Sequence, residues 1–345
     1  MLVDLRVSLG SLRLANPVLV AAGTFGYGLE FRRSIPIDRL GGVVTKTITL
    51  RPCQGNPPPR LVETPAGMLN SVGLQNVGLE AFLKEKLPRL AALKVPVIVS
   101  VLGESIPDIE TMCAALNSQS GVAAIELNLS CPNLKSSSEL RVQSSESKQS
   151  QTPNSALTTQ LMVAQDPEAT FTVVQAARRR TTKPLIAKLS PDVTDPRPIA
   201  QAAERAGADA LALVNTFTGM SLDSQTQQSR LGSITGGLSG PAIRPLAVFR
   251  VWLVAQAVRC PLIGMGGIVQ AEDALEFFLA GATAVAVGTA NFASPSAALR
   301  VLKGIRRYLD RRRVGSLHSI IGAIKDGTHA AGAMQEGSWV QRPIG

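Results

Sequence analysis

Only two histidines and four cysteines occur in the 345 residues, and no two cysteines form a C-x-x-C pair. That scarcity argues against a zinc centre, a disulfide framework or an iron–sulfur cluster held by this chain alone. Cys53, Cys113, Cys131 and Cys260 read instead as free thiols in a reducing, cytoplasmic compartment. No uninterrupted apolar run reaches the roughly 18 residues that a membrane span needs. The opening "MLVDLRVSLGSLRLANP" alternates apolar and polar residues and reads as a β-hairpin, not a signal peptide. Aromatic residues make up only 4% of the chain, and the basic clusters "ARRR" (177–180) and "RRYLDRRR" (306–313), with Tyr308 their single aromatic, lack the repeated aromatic interleaving of a nucleic-acid surface. Under a net charge of +10, those clusters read as solvated helix faces, with a general preference for anionic small ligands or acidic partners. No G-x-G-x-x-G follows the first strand-like run, which excludes a Rossmann dinucleotide site there.

What the chain does contain is Ala, Val, Leu and Gly, within a hydrophobic fraction of 45%. Eight short runs recur: "PVLVAAG" (17–23), "GGVVTKTI" (41–48), "PVIVSVLG" (96–103), "VAAIELNLS" (122–130), "KPLIAKLS" (183–190), "ALALVNT" (210–216), "CPLIGMGG" (260–267) and "AVAVGTA" (284–290). Runs of this kind, bounded by turn residues, suit strands buried on both faces. Helical patterns fall at 78–93, 167–180, 196–208, 240–258, 271–282 and 294–312. Alternating strand and helix implies parallel strands, and eight repeats imply a (β/α)8 barrel; a doubly wound open sheet is the alternative. The expected organisation is a barrel domain over 1–322 with an N-terminal hairpin, and a C-terminal extension over 323–345. After strand four comes a Ser- and Gln-rich insert, 135–165, too poor in large apolar residues to bury much surface and read as a mobile loop.

In such a barrel the site lies at the C-terminal ends of the strands. Lys46, Ser100, Asn128, Cys131, Lys188, Asn215, Thr216, Gly266, Gly267, Gly288 and Thr289 all fall late in, or just after, their runs. A lysine at a strand end is ordinarily a solvated residue, and a lone cysteine is ordinarily a small buried hydrophobe. The coincidence on one rim is harder to dismiss. "GMGGI" (264–268) and "VGTANF" (287–292) close the last two strands, where this fold often binds phosphate, and "GGLSGPA" (236–242) adds another backbone-lined turn. Lys46 and Lys188 suit a cation beside a flavin's N1 and C2 oxygen, or equally a Schiff-base lysine of an aldolase. Cys131, in "NLSCPN" (128–133), sits between a Ser and a Pro where the chain must turn.

On "AAGTFGYG" (21–28), 45–76, "ELNLSCPN" (126–133), "AKLSPDVTD" (187–195), "LVNTFTGMSLD" (213–223) and "GGLSGPAI" (236–243), the sequence resembles the class 1 dihydroorotate dehydrogenases. "GTFGYG" with "NSVGLQN" looks most like the class 1B catalytic subunit. The resemblance implies oxidation of (S)-dihydroorotate to orotate in de novo pyrimidine biosynthesis. Cys131 would remove the C5 proton and FMN would take the C6 hydride. It implies substrate contacts from Lys46, Asn70, Ser71, Val72, Gly73, Leu74, Asn128, Asn133, Asn215 and Thr216. FMN contacts would come from Ala22, Gly23, Lys46, Thr47, Ser100, Asn128, Lys188, Val214, Gly240, Gly266, Gly267, Gly288 and Thr289. No metal is implied.

Two departures stand out. Ser100 occupies a position more often Asn in relatives, and the loop before Asp166-Pro167-Glu168 is longer by on the order of 20 residues, a size common for lids. A class 1B chain implies a homodimer core within a heterotetramer. FAD and a [2Fe-2S] cluster would lie only on a partner subunit that hands electrons to NAD+. The alternatives are a fumarate-dependent class 1A enzyme, another FMN barrel similar to dihydropyrimidine dehydrogenase, a lysine aldolase, or a non-catalytic relative. The membrane-bound class 2 carries serine in place of Cys131.

Overall fold

The structure is a computed structural model that describes residues 3–129 and 163–325. Eight parallel strands close a barrel in sequence order: β1 (Val18–Val20), β2 (Gly42–Val44), β3 (Val97–Val101), β4 (Ala124–Asn128), β5 (Leu185–Lys188), β6 (Ala210–Leu213), β7 (Leu262–Met265) and β8 (Ala284–Val287). The ring closes where β8 pairs with β1, Val285 opposite Val18 and Val287 opposite Val20. Almost every strand residue is buried, as expected for Val, Ile, Leu and Ala walled by a filled interior on one side and helices on the other. This is the (β/α)8 barrel expected from the eight runs.

The expected hairpin is present, Val7–Leu9 paired with Leu12–Leu14. Its turn residue Gly10, at φ +60°, approaches so closely that a Cβ there would lie 2.7 Å from Asp209 Cβ. Asp209 immediately precedes β6, so the hairpin covers the end of the barrel opposite the rim. Its buried leucines and Val7 join the main core.

The expected helices appear with shorter bounds: a helical stretch over 78–91 whose middle turn, Phe82–Lys86, is π-helical, then α2 (Pro167–Arg178), α3 (Arg197–Arg205), α4 (Arg244–Ala255), α5 (Ala271–Leu279) and α6 (Ala297–Arg311). Besides the single turn Ala290–Ala293 after β8, one helix was not anticipated: α1 (Ile106–Asn117), between β3 and β4. Its signals were there. Ser105 caps it by accepting from the Asp108 N–H, Pro107 sits in its first turn, and Ile109, Met112, Cys113 and Leu116 form its buried stripe.

Also unanticipated is an antiparallel sheet in the order Phe217–Gly219, Gly236–Ser239, Gly67–Asn70, Leu61–Thr64. Its strands come from excursions after β2 and after β6, and together they roof the rim. Of the 135–165 insert, all but a 3-10 turn at Val163–Gln165 lies outside the described residues, as does the extension beyond 325.

Helix α5 shows how tightly the wall is filled. A Cβ on Gly264 of β7 would meet the Phe277 ring at 2.5 Å, so the strand has no side chain where the ring lies against it. Phe277 is fully buried. Truncating it (Phe277→Ala) is expected to cost about 3–5 kcal/mol, seen as a lower urea midpoint at unchanged slope.

Candidate functional site

A cleft of about 1080 Å³, counting its open mouth, lies at the C-terminal ends of the strands beneath the roof sheet. Three kinds of group converge on it. The first is cationic: Lys46 follows β2 and Lys188 ends β5. Lys188 is 6% exposed, and its ammonium has no hydrogen bond or ion pair among the described residues. A desolvated cation of this sort calls for an acceptor or a counter-charge nearby.

The second is a chain of amides and hydroxyls. Asn215 Nδ2 donates to Asn128 Oδ1 at 3.3 Å, and Asn128 Nδ2 donates to Thr47 Oγ1 at 3.2 Å. Thr47 Oγ1 lies 2.9 Å from Ser100 Oγ. On the roof side, Asn70 Nδ2 donates to the Gly237 carbonyl at 3.1 Å, and Asn215 Oδ1 accepts the Thr216 N–H. Register explains the arrangement: Asn128 on β4 stands opposite Lys188 on β5, so both point into the mouth.

The third is bare backbone. Gly23, Gly240, Gly266, Gly267 and Gly288 line the cleft, the first four at positive φ. The N–H groups of Gly266, Gly267, Gly288 and Thr289 find no hydrogen-bond acceptor among the described residues. A Cβ on Gly267 would lie 2.7 Å from Arg244 Cβ and 2.9 Å from the Gly240 carbonyl oxygen, so only glycine passes there. A cluster of uncommitted N–H groups in a glycine cradle is a site for an anionic oxygen group.

The family model of dihydroorotate dehydrogenase matches residues 4–309. The chain belongs to the dihydroorotate dehydrogenase family. It is 48% identical over 322 residues to the dihydroorotate dehydrogenase B (NAD(+)) catalytic subunit of Geotalea daltonii, covering 93% of this chain and 98% of that one. It is 46% identical to the subunit of the same name from Geotalea uraniireducens, over 93% of this chain and 98% of its relative. With that of Desulforudis audaxviator it shares 47% over 94% and 98%. Family membership makes it an oxidoreductase, and these relatives are all catalytic subunits of the B (NAD(+)) type.

Of the residues that the resemblance singled out, Ala22, Gly23, Lys46, Thr47, Asn70, Val72, Gly73, Leu74, Asn128, Lys188, Val214, Asn215, Thr216, Gly240, Gly266, Gly267, Gly288 and Thr289 line the one cleft. Two described residues do not. Ser100 is fully buried one layer below the floor, behind Thr47. Ser71 turns away from the cleft, where its hydroxyl accepts from Asn56 Nδ2 and meets Ser233 Oγ. Cys131 and Asn133 lie outside the described residues. Further lining comes from Leu61, Met68 and Ser239 of the roof and from Ile243, Met265 and Phe292. None of these was named individually, although Ser239, Met265 and Phe292 fall within the glycine turns singled out from the sequence; Leu61 and Met68 reach the site through roof strands with no rim signature.

Of the described cysteines, Cys53 backs the cleft lining, its thiol 3.4 Å from the Gly73 carbonyl, while Cys113 and Cys260 do not line the cleft. Burial pushes the thiols of Cys113 and Cys260 up to about 12, with Glu204 reinforcing the effect at Cys260. At pH 8 only ~10⁻⁴ of either is thiolate. Native protein is therefore expected to react with iodoacetamide at neither position, and both should label once urea unfolds the chain; peptide mapping reads the outcome. Among the described residues no helix is long and apolar enough to cross a membrane.

Proposed function

We propose that this chain is the catalytic subunit of a class 1B dihydroorotate dehydrogenase, oxidising (S)-dihydroorotate to orotate. Electrons would pass to NAD+ through a separate subunit carrying FAD and a [2Fe-2S] cluster. The observation that carries the reading is the pairing, in one cleft, of an amide-rich wall with a glycine cradle of uncommitted N–H groups. The donor set fits FMN. The N–H groups of Gly266, Gly267, Gly288 and Thr289 suit its phosphate, and Lys188, Asn128 and Thr47 supply a cation and donors for the polar edge of its ring. When bound there, FMN supplies the acceptor for the C6 hydride.

The chain's own residues do the rest. Lys46, which lines the cleft, would pair with the substrate carboxylate. Asn70, Asn128, Asn215 and Thr216, with Asn133, hold the ring's N–H and C=O groups. Asn215 can do so only in one orientation, because its amide already donates to Asn128. A site built to hydrogen-bond a substrate discriminates strongly against analogues that leave those groups unpaired. Cys131, three residues beyond Asn128, takes the C5 proton as general base. The active site lies wholly on this chain, while the oxidant is reached elsewhere.

Anaerobic addition of dihydroorotate to the purified, FMN-loaded chain tests the reading. Bleaching of the flavin band is expected, with reoxidation by NAD+ only when the electron-transfer subunit encoded in the same genome is added. Reoxidation by fumarate without a partner would instead indicate the class 1A route. Absence of bleaching would overturn the reading itself.

A further inference from the structure

Two buried polar side chains in the barrel interior are left without partners, and they have opposite character. Glu126 lies on β4, two residues before Asn128, so it shares the inward face one layer deeper. It is 1% exposed, and its Oε1 has no hydrogen-bond partner among the described residues. The register puts Ser100 opposite it on β3 and Ile186 opposite it on β5. Ile186 offers nothing polar. The Ser100 hydroxyl is engaged with Thr47, and the Ser100 N–H donates to Thr45 Oγ1. The other buried carboxyl among the described residues, Asp273, is satisfied by Arg244 and by the N–H groups of Val269 and Gln270. Lys188 is two residues beyond Ile186 on β5, hence diagonal to Glu126 and one layer above it. It is the one buried ammonium among the described residues, and it too has no partner.

We propose that Glu126 is the internal counter-charge of Lys188. It is a positioning residue that holds the ammonium at the cleft floor and sets how much positive potential Lys188 presents to a flavin ring above it. Burying either charge alone is costly, and each relieves the other. The charge pair stands on burial and register alone; its effect on the flavin rests on the FMN reading above.

Two measurements on the full chain separate these parts. The first needs no cofactor: urea unfolding of apo-protein for Glu126→Gln, Lys188→Met and the double variant. Each single substitution leaves one charge buried alone and lowers the midpoint. The double variant is expected to recover most of what the worse single loses, including the case in which a single variant fails to fold and the double folds. A double variant no better than the worse single overturns the pair. The second is the FMN midpoint potential by spectroelectrochemistry. Glu126→Gln is expected to shift it positive, because the anionic reduced ring then faces an uncompensated cation, and Glu126→Asp is expected to return it towards the wild-type value. Added to Lys188→Met, Glu126→Gln is expected to shift the potential much less. An unchanged or negative shift in Glu126→Gln overturns the electrostatic role. A chain that takes up no FMN overturns the functional reading, while the apo-protein cycle still decides the pair.

Discussion

Cys131→Ala is expected to slow reduction of the bound flavin by dihydroorotate about 10²- to 10⁴-fold, the range that a positioned general base contributes. Stopped-flow bleaching under anaerobic conditions measures it. The spectral shift on adding orotate should persist, since product binding depends on Asn70, Asn128, Asn215 and Thr216 and not on proton removal. The loss should fall on the rate of bleaching and not on the substrate concentration that half-saturates it. The other thiols provide internal controls. Cys113 is fully buried on α1 and Cys260 precedes β7 at the opposite end of the barrel from the cleft, so alanine at either should leave bleaching unchanged. An undiminished rate in Cys131→Ala would remove the proposed mechanism without touching the family assignment.

The second large effect is expected at Gly267. Its φ of +72° and its approach to Arg244 and to the Gly240 carbonyl leave no space for a side chain. Gly267→Val would impose a left-handed conformation on a β-branched residue, which costs about 1–2 kcal/mol before any clash. It would also push the N–H groups of Gly266 and Gly267 out of line with a phosphate. Hydrogen bonds to charged groups contribute about 1.5–3 kcal/mol, so FMN affinity should fall roughly 10- to 150-fold. Fluorescence titration of apo-protein with FMN measures this directly. Gly281, also at positive φ but on the far side of the barrel, separates the effects: Gly281→Ala should lower stability without altering FMN affinity.

The eight barrel strands were legible because each is a run of branched apolar residues buried on both faces, a pattern few other structures produce. The rim was legible for the same reason: a Lys, Asn or Gly at the end of such a run is conspicuous. The roof sheet was not. Its strands are three or four residues long, mostly half-buried, and three of the four contain Gly, so neither length nor an apolar run marks them. Leu61 and Met68 entered the site through that sheet and stayed hidden with it. Ser100 and Ser71 illustrate a different limit. A residue's neighbours in sequence do not reveal which way its side chain faces or which layer of the barrel it fills: one residue along a strand reverses the face, and two move a side chain from the floor to the layer below. Glu126 was in plain view inside "ELNLSCPN", but only the closed barrel shows that its carboxyl has nowhere else to turn.

The roof is stitched from two stretches of chain more than a hundred residues apart, joined where Gly237 meets Asn70 and Ser239 meets Met68. The glycine turns of β7 and β8 belong to neither stretch. Selectivity for the molecule being oxidised can therefore be rewritten in one quarter of the enzyme while the cofactor's berth stays as it is. The same seam also makes the two stretches heritable only as a matched set. Exchanging the segment after β2 with that of a distant relative should fail unless the segment after β6 travels with it.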